Sequence, residues 1–280
     1  EGHQSLLADN LNYWFKDKAD KRMVRTITRP DGLMGARAFL SDRYRPLDNY
    51  DLLEAILPTL RSMELNFVSQ ELTETRMYIK AVSDRIRADV KVGDPVQAGI
   101  VISNSEVGKG ALKIEEFDYR LSCTNGMISG SIVRKTHLGR STGHDALDNA
   151  EEFFSDETRE LEDQAFFHKV RDAATAVFNQ ERFEARIAAY RDAATDMTQG
   201  DPIATIEVVQ QKLKLNDSEK GSVLKHLCTG GDLSRWGLAN AVTRTAEDCV
   251  SYDRATEFEK LGAKVIGFSE KDWREVATES

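Results

Sequence analysis

The chain has 280 residues, 40% hydrophobic and 30% charged, a balance that excludes a disordered polypeptide and leaves enough apolar surface for a buried core. No run approaches the roughly 18 apolar residues needed to span a bilayer, and Glu1 to Asn10 lack the basic and apolar stretches of a secretion signal. The net charge of -9 excludes a general affinity for nucleic acid based on overall charge, and it is unevenly spread: residues 1–145 carry 21 Lys/Arg against 20 Asp/Glu, residues 146–280 carry 17 against 27.

In chain order, Met23 to Thr28 alternates apolar and polar residues and meets the turn signal Pro30-Asp31-Gly32, after which Met34 to Leu40 returns as a second strand. Asp48 to Asp51 offers an N-cap to a helix carrying Leu52, Leu53, Ile56, Leu57 and Leu60. Leu65 to Leu72 and Thr75 to Val82 read as another strand pair. Ile100 to Ile102 and Ala111 to Leu121 read as further strands, joined by Ser103 to Gly110, and Gly126 and Gly130 punctuate the end of the sheet region. Short connections favour antiparallel neighbours.

From about residue 150 the texture becomes helical. One helix is predicted from about Asp156 to Phe178, and a second carries the stripe Phe183, Ile187, Tyr190, Ala194 and Met197. Asp201-Pro202 opens a third, with Ile203, Ile206, Val209 and Leu213 on one face. Asp217-Ser218 opens a fourth that closes at Thr229-Gly230-Gly231, and Asp232 or Ser234 caps a fifth carrying Trp236, Ala239, Val242 and Ala246. The expected fold is α+β: a β-rich α+β domain over residues 1–150 and a helical domain or subdomain over 151–280. The missing initiator Met marks the chain as trimmed or as a segment of something longer.

Four strings resemble the phage/plasmid-like protein family built on domain of unknown function 932. They are Arg37 to Asn49, Gly99 to Ser105, Tyr119 to Met127 and Trp236 to Thr243, in that family's order along the chain. The chain lacks the Trp-His segment that many members carry near the N-terminus. The resemblance implies a prophage or plasmid setting, a loose association with antirestriction, and no established enzyme chemistry.

Five constellations of side chains offer candidate chemistry. Arg25, Arg29, Arg37, Arg43, Tyr44 and Arg45 form a basic and aromatic set; Arg forks bind phosphates and an aromatic can stack on an unpaired base, while the alternative is a solvated sheet face with Arg–Asp pairs. Ser103 to Gly110 has the Gly, Ser and Lys of a phosphate loop, but its spacing fails GxxxxGK[ST] and Ala111 stands where a hydroxyl is needed, so it reads as a hairpin loop offering Lys109 and Lys113 to a phosphate. Cys123 beside Asn125-Gly126 would need a base, for which His137 and His144 are the nearest histidines, but it shares strand parity with Phe117, Tyr119 and Leu121, which predicts a core face ending in a turn. His137, His144, Asp145 and Asp148 lack metal-site spacing, so neither metal nor cofactor is expected. Asp217 to Asp248 outlines a helix-turn-helix with Arg235, Asn240 and Arg244 on its second helix, although simple helix packing has the same outline.

Three scattered cysteines form no disulfide framework; they read as small buried hydrophobes in a reducing, cytoplasmic compartment. The expectation is a non-catalytic phage or plasmid DNA-metabolism protein. It would bind DNA, single-stranded by preference, through the β-rich half as a recombination or annealing-type factor, while the helical half assembles a homo-oligomer or recruits a host or phage protein. The alternative is an antirestriction or inhibitory protein whose acidic helical half docks on a host protein.

Overall fold

The computed structural model describes residues 4–16, 22–28, 31–41, 44, 46–135 and 155–278. Helix α1 (Gln4–Lys16), strands β1 (Arg22–Thr28) and β2 (Met34–Ser41) and helix α2 (Asn49–Ser62) come first. Strands β3 (Asn66–Leu72), β4 (Met77–Asp89), β5 (Pro95–Asn104), β6 (Leu112–Arg120) and β7 (Asn125–Lys135) follow. The rest is helical: α3 (Asp156–Val177), α4 (Gln180–Thr195), α5 (Pro202–Leu213), α6 (Asp217–Gly230), α7 (Arg235–Arg244), α8 (Tyr252–Ile266) and α9 (Glu270–Thr278). The fold is α+β, with an antiparallel β-rich N-terminal half and a helical C-terminal half. No helix among the described residues is long and apolar enough to cross a membrane.

Local chemistry sets most boundaries. Asp31 Oδ1 accepts the Leu33 N–H at 3.0 Å, and Gly32 sits at φ +81°, which a residue without Cβ enters freely, so β1 and β2 pair as a ribbon from Arg22↔Ser41 to Thr28↔Met34. In α2, Leu52, Ile56 and Leu60 recur one turn apart and are fully buried. Side-chain caps start α3, α4, α5, α6 and α7: Ser155, Asn179, Asp201, Asn216 and Ser234 each accept a backbone N–H two or three residues on. Asn216, one residue before the expected start, closes a capping box with Glu219.

The five long strands form one antiparallel sheet in the order β3-β4-β5-β6-β7. On one face Met77, Ile79, Ile100, Ile102, Leu112 and Ile114 bury against α2 and against Val170, Ala174 and Val177 of α3. Farther along the strands, Val90, Val96, Ala98 and Met127 join Phe183, Ile187 and Tyr190 of α4 with Trp236 and Phe258. Both cores therefore draw residues from each half of the sequence. The other face carries a small cluster of Val82, Val101, Phe117 and Ile128 and meets α8.

Several expectations need correction. Gly126 and Gly130 do not end the sheet; they lie inside β7. A Cβ on Gly126 would come within 2.0 Å of the Phe117 ring, so this glycine makes room for an aromatic on the neighbouring strand. The turn comes earlier, over residues 121–124, with Thr124 at φ +51°. Of the face expected from Phe117 to Cys123, Phe117 is buried and Tyr119 half-buried, while Leu121 and Cys123 fall in the turn and Leu121 is exposed. The α4 stripe closes on Ala193; Met197 lies past the helix and is exposed, as is Ile203 at the start of α5. Cys228 is exposed, and all three thiols are free. Helices α1, α8 and α9 add to the elements predicted from sequence.

Candidate functional site

The N-terminal cationic set is partly consumed by the fold. Arg25 Nη2 lies 2.5 Å from Asp48 Oδ1; Arg37 Nη1 donates to Glu106 Oε2 at 2.9 Å and its Nη2 to the Glu74 carbonyl at 3.1 Å. These pairs tie the ribbon to the start of α2 and to the β5–β6 loop. Tyr44 is only 5% exposed and its hydroxyl donates to the Ser105 carbonyl at 3.2 Å, so its ring is closed to a stacking base, contrary to the sequence expectation. Arg29, Arg43 and Arg45 lie outside the described residues, as do His137, His144, Asp145 and Asp148.

Of the Ser103 to Gly110 segment, Ser103 and Asn104 end β5 and the rest forms the hairpin loop to β6. Ser105 Oγ accepts the N–H groups of Val107 (3.4 Å) and Lys109 (3.0 Å), the donors that a phosphate cradle would need free. Glu106 is spent on Arg37 and on the Asn49 N–H. Lys109 is exposed at the tip; Lys113 is half-buried on β6.

Other constellations resolve as packing. Helix α7 buries Trp236 and every residue from Leu238 to Thr243. Arg235 donates to the Val265 and Phe268 carbonyls, and Asn240 to the Trp236 carbonyl, so this helix cannot enter a DNA groove. The fold gathers Ser222, His226 and Asp248, but both Ser222 Oγ and His226 Nε2 (2.8 Å) meet the same Asp248 oxygen. With the carboxylate in the middle, the imidazole is not placed to take the serine proton. Among the described residues no three His, Cys, Asp or Glu side chains are grouped to hold a metal ion.

A further feature is a cleft of about 860 Å3 between β3, the β6–β7 turn and the segment leading into α8. Its walls include Phe117, Tyr119, Asn125, Glu247, Cys249 and Tyr252. At its base lies Lys80, 4% exposed, with Nζ 2.6 and 2.7 Å from the two Glu259 oxygens and 4.7 Å from the Tyr252 ring centroid. Burial pushes the Glu259 carboxyl up, against the pull of Lys80. The Tyr252 hydroxyl meets Ser69 Oγ at 2.6 Å. Tyr78 donates to Asp253, and burial together with that carboxylate pushes its phenol up to about 12.

Asn125 is 6% exposed and donates through Nδ2 to Asn240 Oδ1 (3.1 Å) and Thr243 Oγ1 (2.6 Å). Its own Oδ1 is buried without a partner among the described residues. A buried acceptor left open costs free energy until an N–H or O–H reaches it. Burial also raises the Tyr119 phenol, and the nearby Glu247 adds to the effect. Sequence reasoning missed Lys80, Glu259, Asn125 and Tyr252. Their only sequence signal was a lysine inside an otherwise apolar strand, Met77 to Val82.

Comparison of the chain with known protein families, curated proteins and solved structures found no match. Likeness to the phage/plasmid-like family rests on the four sequence strings alone.

Proposed function

We propose that the chain is a non-catalytic protein that binds single-stranded nucleic acid, working as a recombination or annealing-type factor in phage or plasmid DNA metabolism, in the cytoplasm and as a homo-oligomer. The observation that carries this reading is the cleft. Tyr119, half-buried on the cleft wall, offers an aromatic face to an unpaired base, with the buried Phe117 ring packed behind it. Duplex DNA keeps its bases stacked on one another and closed to that ring, so the cleft discriminates by strandedness.

The alternative, a phosphate-mimicking acidic surface on the helical half, draws less support. Mimicry needs uncompensated acidic rows, whereas Glu219 and Glu257 pair with Arg254, Asp272 and Glu275 with Lys212, Asp232 with Lys91, and Glu259 with Lys80. The test is fluorescence anisotropy with a labelled oligothymidine and a matching duplex, run beside a light-scattering mass. The expected result is tighter binding of the single strand, weakened by about 1–3 kcal/mol in Tyr119→Ala. No binding of either form at about 50 mM salt and micromolar protein, conditions that favour phosphate contacts, overturns the reading.

A further inference from the structure

Several charged side chains of the five-stranded sheet are answered by a partner. Lys80 has Glu259, Arg120 has Asp94, Asp118 has Arg186, and Glu115 has Lys260. Two unanswered cations stand together on the cleft side of the sheet, where the ladder places Tyr78, Ser103, Lys113 and Arg134 in one row across β4, β5, β6 and β7. Lys113 and Arg134 stand directly opposite each other on neighbouring strands. Like charges in that position destabilise a strand pair. Among the described residues neither side chain has a hydrogen bond or an ion pair.

Two further cations border the pair. Lys260 reaches the adjacent row through Glu115, whose oxygens lie 2.7 and 2.8 Å from its Nζ. Arg76 lies at the other end, donating through Nη1 to the Tyr78 hydroxyl at 3.2 Å and through Nε and Nη2 to the Lys109 carbonyl. Burial and the charges of Lys260, Arg134 and Arg76 press the Lys113 amine below its ordinary value, and Glu115 opposes them. The nearby anions are already engaged: Glu115 by Lys260, Asp253 by Tyr78, Glu257 by Arg254. The Tyr78–Asp253 contact joins this row to the cleft wall, since Asp253 lines the cleft.

We propose that Lys113 and Arg134 hold a phosphodiester group of a single-stranded nucleic acid, in the field of Arg76 and Lys260, while the neighbouring bases enter the cleft. Directly opposed residues on antiparallel strands are about 5 Å apart at Cα, so an ammonium and a guanidinium can converge on two oxygens of one phosphate. This assignment rests on the single-strand reading above. It also moves the phosphate contact from the N-terminal arginines, two of which are engaged in ion pairs, to the sheet.

The test compares the full chain with Lys113→Ala, Arg134→Ala, their combination and the conservative Lys113→Arg. Thermal melts without ligand check folding; removing one of two opposed cations leaves Tm unchanged or raises it. Oligothymidine binding is then followed across a salt series. The two cations share one phosphate, and each lost phosphate contact flattens the slope of log K against log salt by about 0.7, so the double variant is expected to bind more weakly and to lose about 0.7 units of slope, with Lys113→Arg keeping the wild-type slope. Arg25→Ala, which removes a cation held by Asp48, is expected to leave the slope unchanged. Tight oligothymidine binding with the same slope in the double variant overturns the phosphate site while leaving the single-strand function standing. Absence of oligothymidine binding by the unmodified chain overturns both.

Discussion

The molecule contains two antiparallel sheets of opposite character. The five-stranded sheet buries charged side chains: on β6, Glu115, Glu116 and Asp118 are each 6% exposed or less. The β1–β2 ribbon does the reverse and leaves Val24, Ile27, Met34 and Phe39 between 44% and 74% exposed. Both are antiparallel, with successive side chains on opposite faces, so strand geometry does not set the difference. It comes from what covers each face. The long sheet has helices on both faces, and these supply counter-charges as well as apolar contacts: Arg186 of α4 to Asp118 and Glu116, Lys260 of α8 to Glu115. The ribbon is tied to the body by the Arg25–Asp48 and Arg37–Glu106 pairs, and two strands alone bury too little to be stable. A strand can therefore bury acids where a helix delivers the base, whereas the strands of the ribbon keep large hydrophobes half in water.

The sharpest way to break this contrast is to remove a counter-charge from the long sheet. Arg186 binds Asp118 through Nε (2.8 Å) and Nη2 (3.0 Å) and reaches Glu116 through Nη1 at 3.0 Å, while Tyr190 donates to the same Asp118 oxygen at 2.5 Å. Arg186→Ala leaves two carboxylates buried with fewer donors. Loss of one partner of a buried pair costs about 3–5 kcal/mol, and urea unfolding is expected to show a shift of that size with an unchanged m value. A shift below about 1 kcal/mol, the range of exposed pairs, would mean that solvent reaches the network.

A smaller effect tests the α8 side. The neutral Tyr78 phenol is favoured in the folded protein because burial and Asp253 oppose its ionisation. Its contribution to stability is complete below pH 10, the ordinary phenol value, and is lost as pH rises from 10 through about 12. The difference in stability between the wild type and Tyr78→Phe should hold constant below pH 10 and shrink above it. Absorbance titration of the phenols, read alongside unfolding, locates the window; a Tyr78 that titrates at 10 removes the effect.

Much of this architecture was legible in the chain. The Pro30-Asp31-Gly32 turn, the Leu52, Ile56 and Leu60 stripe and the Asp201-Pro202 start are local signals, and the structure follows them. β7 was obscured because Asn125-Gly126 and Gly130 look like turn residues, whereas each glycine makes room for a side chain of β6: the Phe117 ring and Glu116 Oε2. The site was obscured for a related reason. Lys260 and Arg186 lie 145 and 68 residues beyond the acids they neutralise, and strand parity names a face without naming what covers it. Tyr44 looked exposed because basic residues flank it, but its hydroxyl found a carbonyl in the β5–β6 loop.

The smallest expected effect belongs to the ribbon and completes the comparison. Val24 and Phe39 are directly paired across β1 and β2, and both are exposed, at 44% and 47%. Hydrophobic stabilisation scales with apolar area removed from water, and these side chains keep nearly half of theirs in it. Val24→Ser with Phe39→Ser should therefore cost little, within about 0.5 kcal/mol as at ordinary surface sites, apart from a few tenths lost from the cross-strand contact. The same pair of changes on the long sheet, Ile100→Ser with Ile102→Ser, removes two fully buried side chains and places hydroxyls among apolar groups, which is expected to prevent folding. Urea unfolding at several protein concentrations checks the ribbon variant. A loss well above 1 kcal/mol that grows with concentration would show that the ribbon's apolar face is covered by a second copy in solution, and the contrast between the two sheets would then hold for the monomer alone.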